Sequence, residues 1–166
     1  MTLLDAPAFD AARDHRRRVI LASSAIAFFV LLIAGWLVSG RPVDWPWNWW
    51  THFRARMTAN RFLTAVEQND LQKAYGIWIH NPEWQQHPEI KNPYPFDRFQ
   101  QDWSSTSPSN EYGVIRSHRI VAARRSGNVL LMGILINGLQ SHALFLDYDP
   151  KTKTLGFSPV ELYLGP

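Results

Sequence analysis

Arg116 and His118 stand two positions apart in a stretch of β-forming residues, so on a strand they share one face, with Ser117 and Arg119 on the other. Asp97 and Asp102 fall on a short segment with Phe96, Phe99 and Trp103, and Tyr75 and Trp78 on an earlier one. If these segments close over one cavity, a desolvated Asp–His pair in it is a proton shuttle, because burial raises a carboxyl pKa and lowers that of an imidazole. The competing expectation is that Arg116 and His118 face solvent or satisfy local carboxylates. Tyr75, Trp78, Trp103, Arg116 and His118 are therefore candidate ligand-binding residues, and no residue is assigned as catalytic.

Other chemistries have less to stand on. His52, His80, His87, His118 and His142 include no pair four apart and no zinc-site spacing. Asp147-Tyr148-Asp149 begins like a calcium loop, but Pro150 and Lys151 follow where oxygen ligands and a glycine are needed, so it is expected to be a hairpin turn. The chain has no cysteine and no Gly-x-Ser-x-Gly elbow. Gly133 and Gly138 build no phosphate cradle, there is no dinucleotide fingerprint, and no cofactor is implied. The aromatic residues Trp78, Trp84, Tyr94, Phe96, Phe99, Trp103 and Tyr112 are more suggestive, since an aromatic-lined concavity suits a small apolar ligand or a partner's anchor residue. Trp84 and Tyr94 lie on a proline-broken loop, where core packing explains them least.

The elements that would position these residues are set by local signals. Thr51 can cap a helix whose apolar positions Phe53, Met57, Phe62, Leu63 and Val66 form one face. Asp70 can cap a second through Leu71, Ala74, Tyr75 and Trp78. Pro82, Pro88, Pro93 and Pro95 break the chain from His80 on, and Pro95 can begin a third helix, Phe96 to Trp103. Glu111 to Ser126 is β-rich, and Val129 to Ile136 is apolar at nearly every position, as in a strand covered on both faces. Asn137-Gly138 is a two-residue hairpin signal. Leu139 to Tyr148 and Thr154 to Tyr163 complete a four-stranded antiparallel meander, and helices followed by such a meander make an α+β domain.

Ahead of all this lies an uncharged run, Val19 to Ser39, preceded by Arg16-Arg17-Arg18. As a helix it would be about 30 Å long, the thickness of a bilayer's hydrocarbon core. Its twelve Val, Ile, Leu and Phe residues contribute roughly −4 to −7 kcal/mol to insertion. The N-flanking arginines keep the N-terminus in the cytoplasm and export everything after Gly40. The expected organisation is a cytoplasmic tail (1–18), a transmembrane helix (19–39), a Trp-rich juxtamembrane linker (40–50) and an extracytoplasmic domain (51–166), in the cell's inner (plasma) membrane. A cleaved signal ending near Val38-Ser39-Gly40 is the alternative, although the run exceeds the usual h-region of about 7–15 residues. Five arginines and four aspartates fall in residues 1–50, so +2 of the net charge of +3 remains beyond them, too little to argue for nucleic acid.

Arg61-Phe62-Leu63-Thr64-Ala65-Val66 followed by Asp70-Leu71-Gln72-Lys73-Ala74-Tyr75 resembles the opening helix pair of the nuclear transport factor 2-like superfamily. Ile134-Leu135-Ile136-Asn137-Gly138 and Leu155-Gly156-Phe157-Ser158-Pro159 are similar to its uncharacterised bacterial membrane-tethered members. The resemblance covers about residues 55–164 and implies a cone: three helices on a curved four-stranded sheet around an internal pocket. That superfamily holds isomerases, dehydratases, binding modules and dimerisation domains, so the fold does not choose among them. The expected function is a non-enzymatic domain binding an unidentified small molecule or membrane-proximal protein. The alternatives are a small acid–base enzyme of isomerase or dehydratase type, and a homodimer formed through the exposed sheet face.

Overall fold

The computed structural model describes residues 11–87 and 92–164, so Pro88 lies outside the described residues. The chain divides into two compact units, an N-terminal one ending at Val38 and a second starting at Ser39. Among the described residues are four α-helices: α1 (Ala11–Val38), α2 (Trp49–Glu67), α3 (Leu71–Trp78) and α4 (Phe96–Trp103). Four strands come after them: β1 (His118–Ser126), β2 (Val129–Ile136), β3 (Leu139–Tyr148) and β4 (Leu155–Phe157). They form one antiparallel sheet in sequential order, so the chain is α+β with an N-terminal apolar helix.

Among the described residues α1 is the one helix long and apolar enough to cross a membrane, and none of its residues is buried. It starts before the apolar run because the arginine cluster is itself helical, with Arg18 and Asp14 paired at 2.7 Å across one turn.

The second unit departs from expectation at its entrance. The tryptophan-rich stretch is not a free linker: α2 already begins at Trp49, and Thr51 lies inside it. Asp44 fixes the approach, its carbonyl accepting the Trp49 indole N–H at 3.0 Å and its carboxylate lying 2.6 Å from Nε2 of the buried His52. Asn48 stands at the N-cap without a capping bond, because its side-chain oxygen accepts from Arg125 at 2.7 Å. The buried face of α2 also runs differently, through His52, Ala55, Ala59, Phe62, Leu63, Ala65 and Val66, with Phe53 and Met57 only half-buried. Ala55 and Ala59 are fully covered, and their small side chains let the helix lie close on β1 and β2. α3 and α4 form where the sequence puts them, α3 with Asp70 accepting the Lys73 N–H at 3.1 Å.

In the sheet, Asn137 and Gly138 take φ of 53° and 75°, the left-handed pair of a type I′ hairpin. Asn137 also shortens β1. Its side-chain oxygen accepts the N–H groups of Arg116 (2.8 Å) and Ser117 (3.2 Å), and its amide donates to the Val114 carbonyl. Those backbone groups are spent on a side chain instead of a ladder, so the strand starts at His118 and not in the β-rich stretch from Glu111. β4 is likewise only three residues long. The Ser158 N–H still reaches the Phe145 carbonyl (3.0 Å), but Pro159 has no N–H to continue the ladder. Beyond it the chain returns to the outer face of the sheet, where a Cβ on Gly133 would lie 2.5 Å from Leu164. On that face Leu131 and Leu135 are buried, while Met132, Ile134, Leu144, Leu146 and Tyr148 face α2 in the main core. Asp149 closes the β3–β4 turn as expected, its carboxylate accepting the Lys151 N–H at 2.8 Å.

Candidate functional site

The aromatic residues expected to ring a cavity mouth fill the space between helices and sheet. Phe62 is central, with ring centroids 5.2 Å from Trp78 and 4.9 Å from Trp103. The proline-broken loop folds onto this cluster: Trp84 meets Tyr75 edge-on at 4.8 Å, Tyr94 lies 5.6 Å from Trp78, and the Tyr75 hydroxyl donates to the Tyr94 carbonyl at 2.9 Å. Trp84 and Tyr94 thus do pack on the core. Tyr75, Trp78 and Trp103 are only 4%, 4% and 2% exposed, which leaves little of any of them for a ligand.

The polar candidates are not brought together. His118 lies under α2, its Nδ1 2.7 Å from a Glu67 carboxylate oxygen and its Nε2 3.2 Å from the Asn60 side-chain oxygen. Arg116 precedes the strand and is exposed, so the shared strand face expected for the two does not form. Asp102 belongs to another group, accepting the Tyr94 hydroxyl at 2.9 Å and Arg98 Nε at 3.2 Å. Burial, with help from that carboxylate, holds the Tyr94 phenol well above its ordinary pKa. Among the described residues the buried Trp103 Nε1 completes no hydrogen bond of good geometry, yet it is near enough to the Tyr94 hydroxyl to oppose part of that rise. Asp102 and Trp103 border a cleft of about 220 Å³ with Tyr112 and Phe157; Tyr75 and Asp97 do not reach it.

The larger openings lie elsewhere. One groove of about 740 Å³ runs along Ser141, His142 and Phe145 toward Tyr163. Another, of about 700 Å³, lies between the outward faces of α2 and α3. From α2 it receives Arg54, Met57 and Arg61, three or four apart and so on one face; from α3 it receives Lys73 and Ile77. Gly76 lets the roof come close, since a Cβ there would lie 3.1 Å from the Asn81 carbonyl oxygen and 3.3 Å from Pro82 Cα. Trp84 forms the end wall, its indole N–H donating to the Gln72 carbonyl at 3.2 Å. Three permanent cations thus face one carboxylate, Asp70, whose Oδ1 is already engaged as the α3 cap.

None of Arg54, Arg61 and Lys73 stands out from sequence. The signal is present: the two arginines are seven apart on α2, off the face that carries Ala55, Ala59 and Phe62. What is missing is the second helix, which decides that this face becomes one wall of a groove. Comparison with known proteins finds no matching family model, no matching curated protein and no matching solved structure.

Proposed function

We propose that this chain is a single-pass protein of the inner (plasma) membrane, N-terminus cytoplasmic. It holds a non-enzymatic ligand- or partner-binding domain on the far side of the bilayer. The observation that carries this reading is α1: unburied throughout its length, with an apolar run from Val19 preceded in the same helix by Arg13, Arg16, Arg17 and Arg18. The exposed indoles of Trp45, Trp47 and Trp50 support it, because they stand within twelve residues of Val38 on a segment pinned by the Asp44–His52 contact. Indoles favour the headgroup layer, where an apolar ring and a polar N–H are both satisfied. The α2–α3 groove is the proposed binding site. The cone of the superfamily remains a proposal for the fold, supported by α2 lying on β1 and β2 and by irregularities at Ile120/Ala122 and Leu135/Ile136, which bend a sheet.

The test is topology. A periplasmically active reporter fused after Pro166 should be active, and the full chain should stay in the membrane fraction at alkaline pH. A reporter active only in the cytoplasm, or full-length protein released by carbonate, would reject the reading.

A further inference from the structure

We infer that the groove between α2 and α3 binds a small amphipathic anion, an oxyanion headgroup carried on a short apolar chain. The inference rests on the reading of this groove as the binding site and adds the class of its ligand. Three observations on independent elements converge. First, among the described residues no carboxylate lies in ion-pair distance of Arg54, Arg61 or Lys73, whereas Arg98, Arg18 and His118 in the same chain each have one. Three cations brought to one concavity with a single carboxylate, Asp70, among them repel each other and gain from an added anion, and arginine's planar fork suits an oxyanion.

Second, the floor is apolar. Met57 and Ile77 are half-buried, and the end wall is Trp84, whose indole N–H is already bonded to the Gln72 carbonyl. A bare inorganic anion would leave that surface wet. Third, the volume of about 700 Å³ is that of a small-molecule site, and the absent side chain of Gly76 lets the Asn81–Pro82 backbone come close to α3 beside it. Charge at one side and apolar surface at the other select a ligand that has both.

The experiment is calorimetric titration of the full chain in zwitterionic nanodiscs, with empty nanodiscs as reference, using hexyl phosphate, inorganic phosphate and hexanol. Hexyl phosphate should bind at least about tenfold tighter than either other probe. Arg61→Gln with Lys73→Gln should weaken it by about tenfold or more, while Arg61→Lys with Lys73→Arg should retain binding within about threefold. Both replaced residues are exposed, and an unchanged melting temperature checks that the fold is intact. Inorganic phosphate binding as tightly as hexyl phosphate would overturn the apolar half of the inference, and hexanol doing so would overturn the anionic half. No binding of hexyl phosphate, or wild-type binding by the Gln variant, would overturn it entirely. None of these failures moves the reporter or carbonate results, so loss of the ligand class and loss of the membrane-anchored reading are told apart.

Discussion

Gly133 in the middle of β2 and Leu164 near the end of the described chain touch so closely that any side chain at 133 meets the leucine: a Cβ would lie 2.5 Å from Leu164 Cδ2. The glycine makes room for the returning segment on the sheet's outer face. Gly133→Ala should cost about 1 kcal/mol, the low end for overpacking, because the opposing atom is the tip of a flexible side chain. Adding Leu164→Ala should remove most of that cost. Urea unfolding of the two single variants and the double variant checks it; a fully additive double would refute the contact.

Four of the five tyrosines, Tyr75, Tyr94, Tyr112 and Tyr148, have phenols held above their ordinary pKa, burial being the leading cause in each. The folded state keeps protons that the unfolded chain releases near pH 10, so stability is lost as pH rises beyond about 10. Absorbance titration at about 295 nm should show these tyrosines ionising together with unfolding. Tyr94→Phe should lessen the alkaline loss. Smooth ionisation of all five in the folded protein would contradict the burial.

The His118–Glu67 pair bridges β1 and α2 with side chains 12% and 21% exposed. Removing one partner strands the other, so His118→Ala and Glu67→Ala should each cost about 1–3 kcal/mol. The double variant should fall short of the sum by at least about 0.5 kcal/mol. Additive losses would mean the pair contributes nothing. In any turnover assay, His118→Ala and Asp102→Ala should behave alike only through stability, since the two residues sit in separate groups.

Asp147 is half-buried on the outer face opposite Gly156, and burial first, then the nearby Asp149, raises its carboxyl pKa. The folded state therefore favours the protonated form, a preference present at low pH and lost as pH rises through the folded-state value. Asp147→Asn should raise the melting temperature at pH 7 by about 2 °C, a small effect because solvent screens the group. The gain should vanish below about pH 3.9, and a gain that persists there would reject the electrostatic cause.

The features legible in the sequence are local. The Asp70 cap, the Pro95 start of α4 and the Asn137-Gly138 turn each depend on residues a few positions apart, and each forms as the spacing predicts. The start of β1 is illegible because it is set by Asn137, about twenty residues onward, and the partner of His118 is 51 positions back. Aromatic composition marks Trp84 and Tyr94 as unusual, but only the folded loop shows that their rings complete the core. The cationic groove needs two helices side by side, which periodicity within either one does not supply.

The returning stretch after Ser158 also bears on how the protein is made. The hairpins of the meander join neighbours in sequence and can form as they emerge, but the contact at Gly133 waits for Leu164, synthesised after every strand. A newly made chain would thus carry a sticky, half-finished sheet for the interval before that closure. During that interval a chaperone, or a wrongly paired neighbour, would find its opportunity.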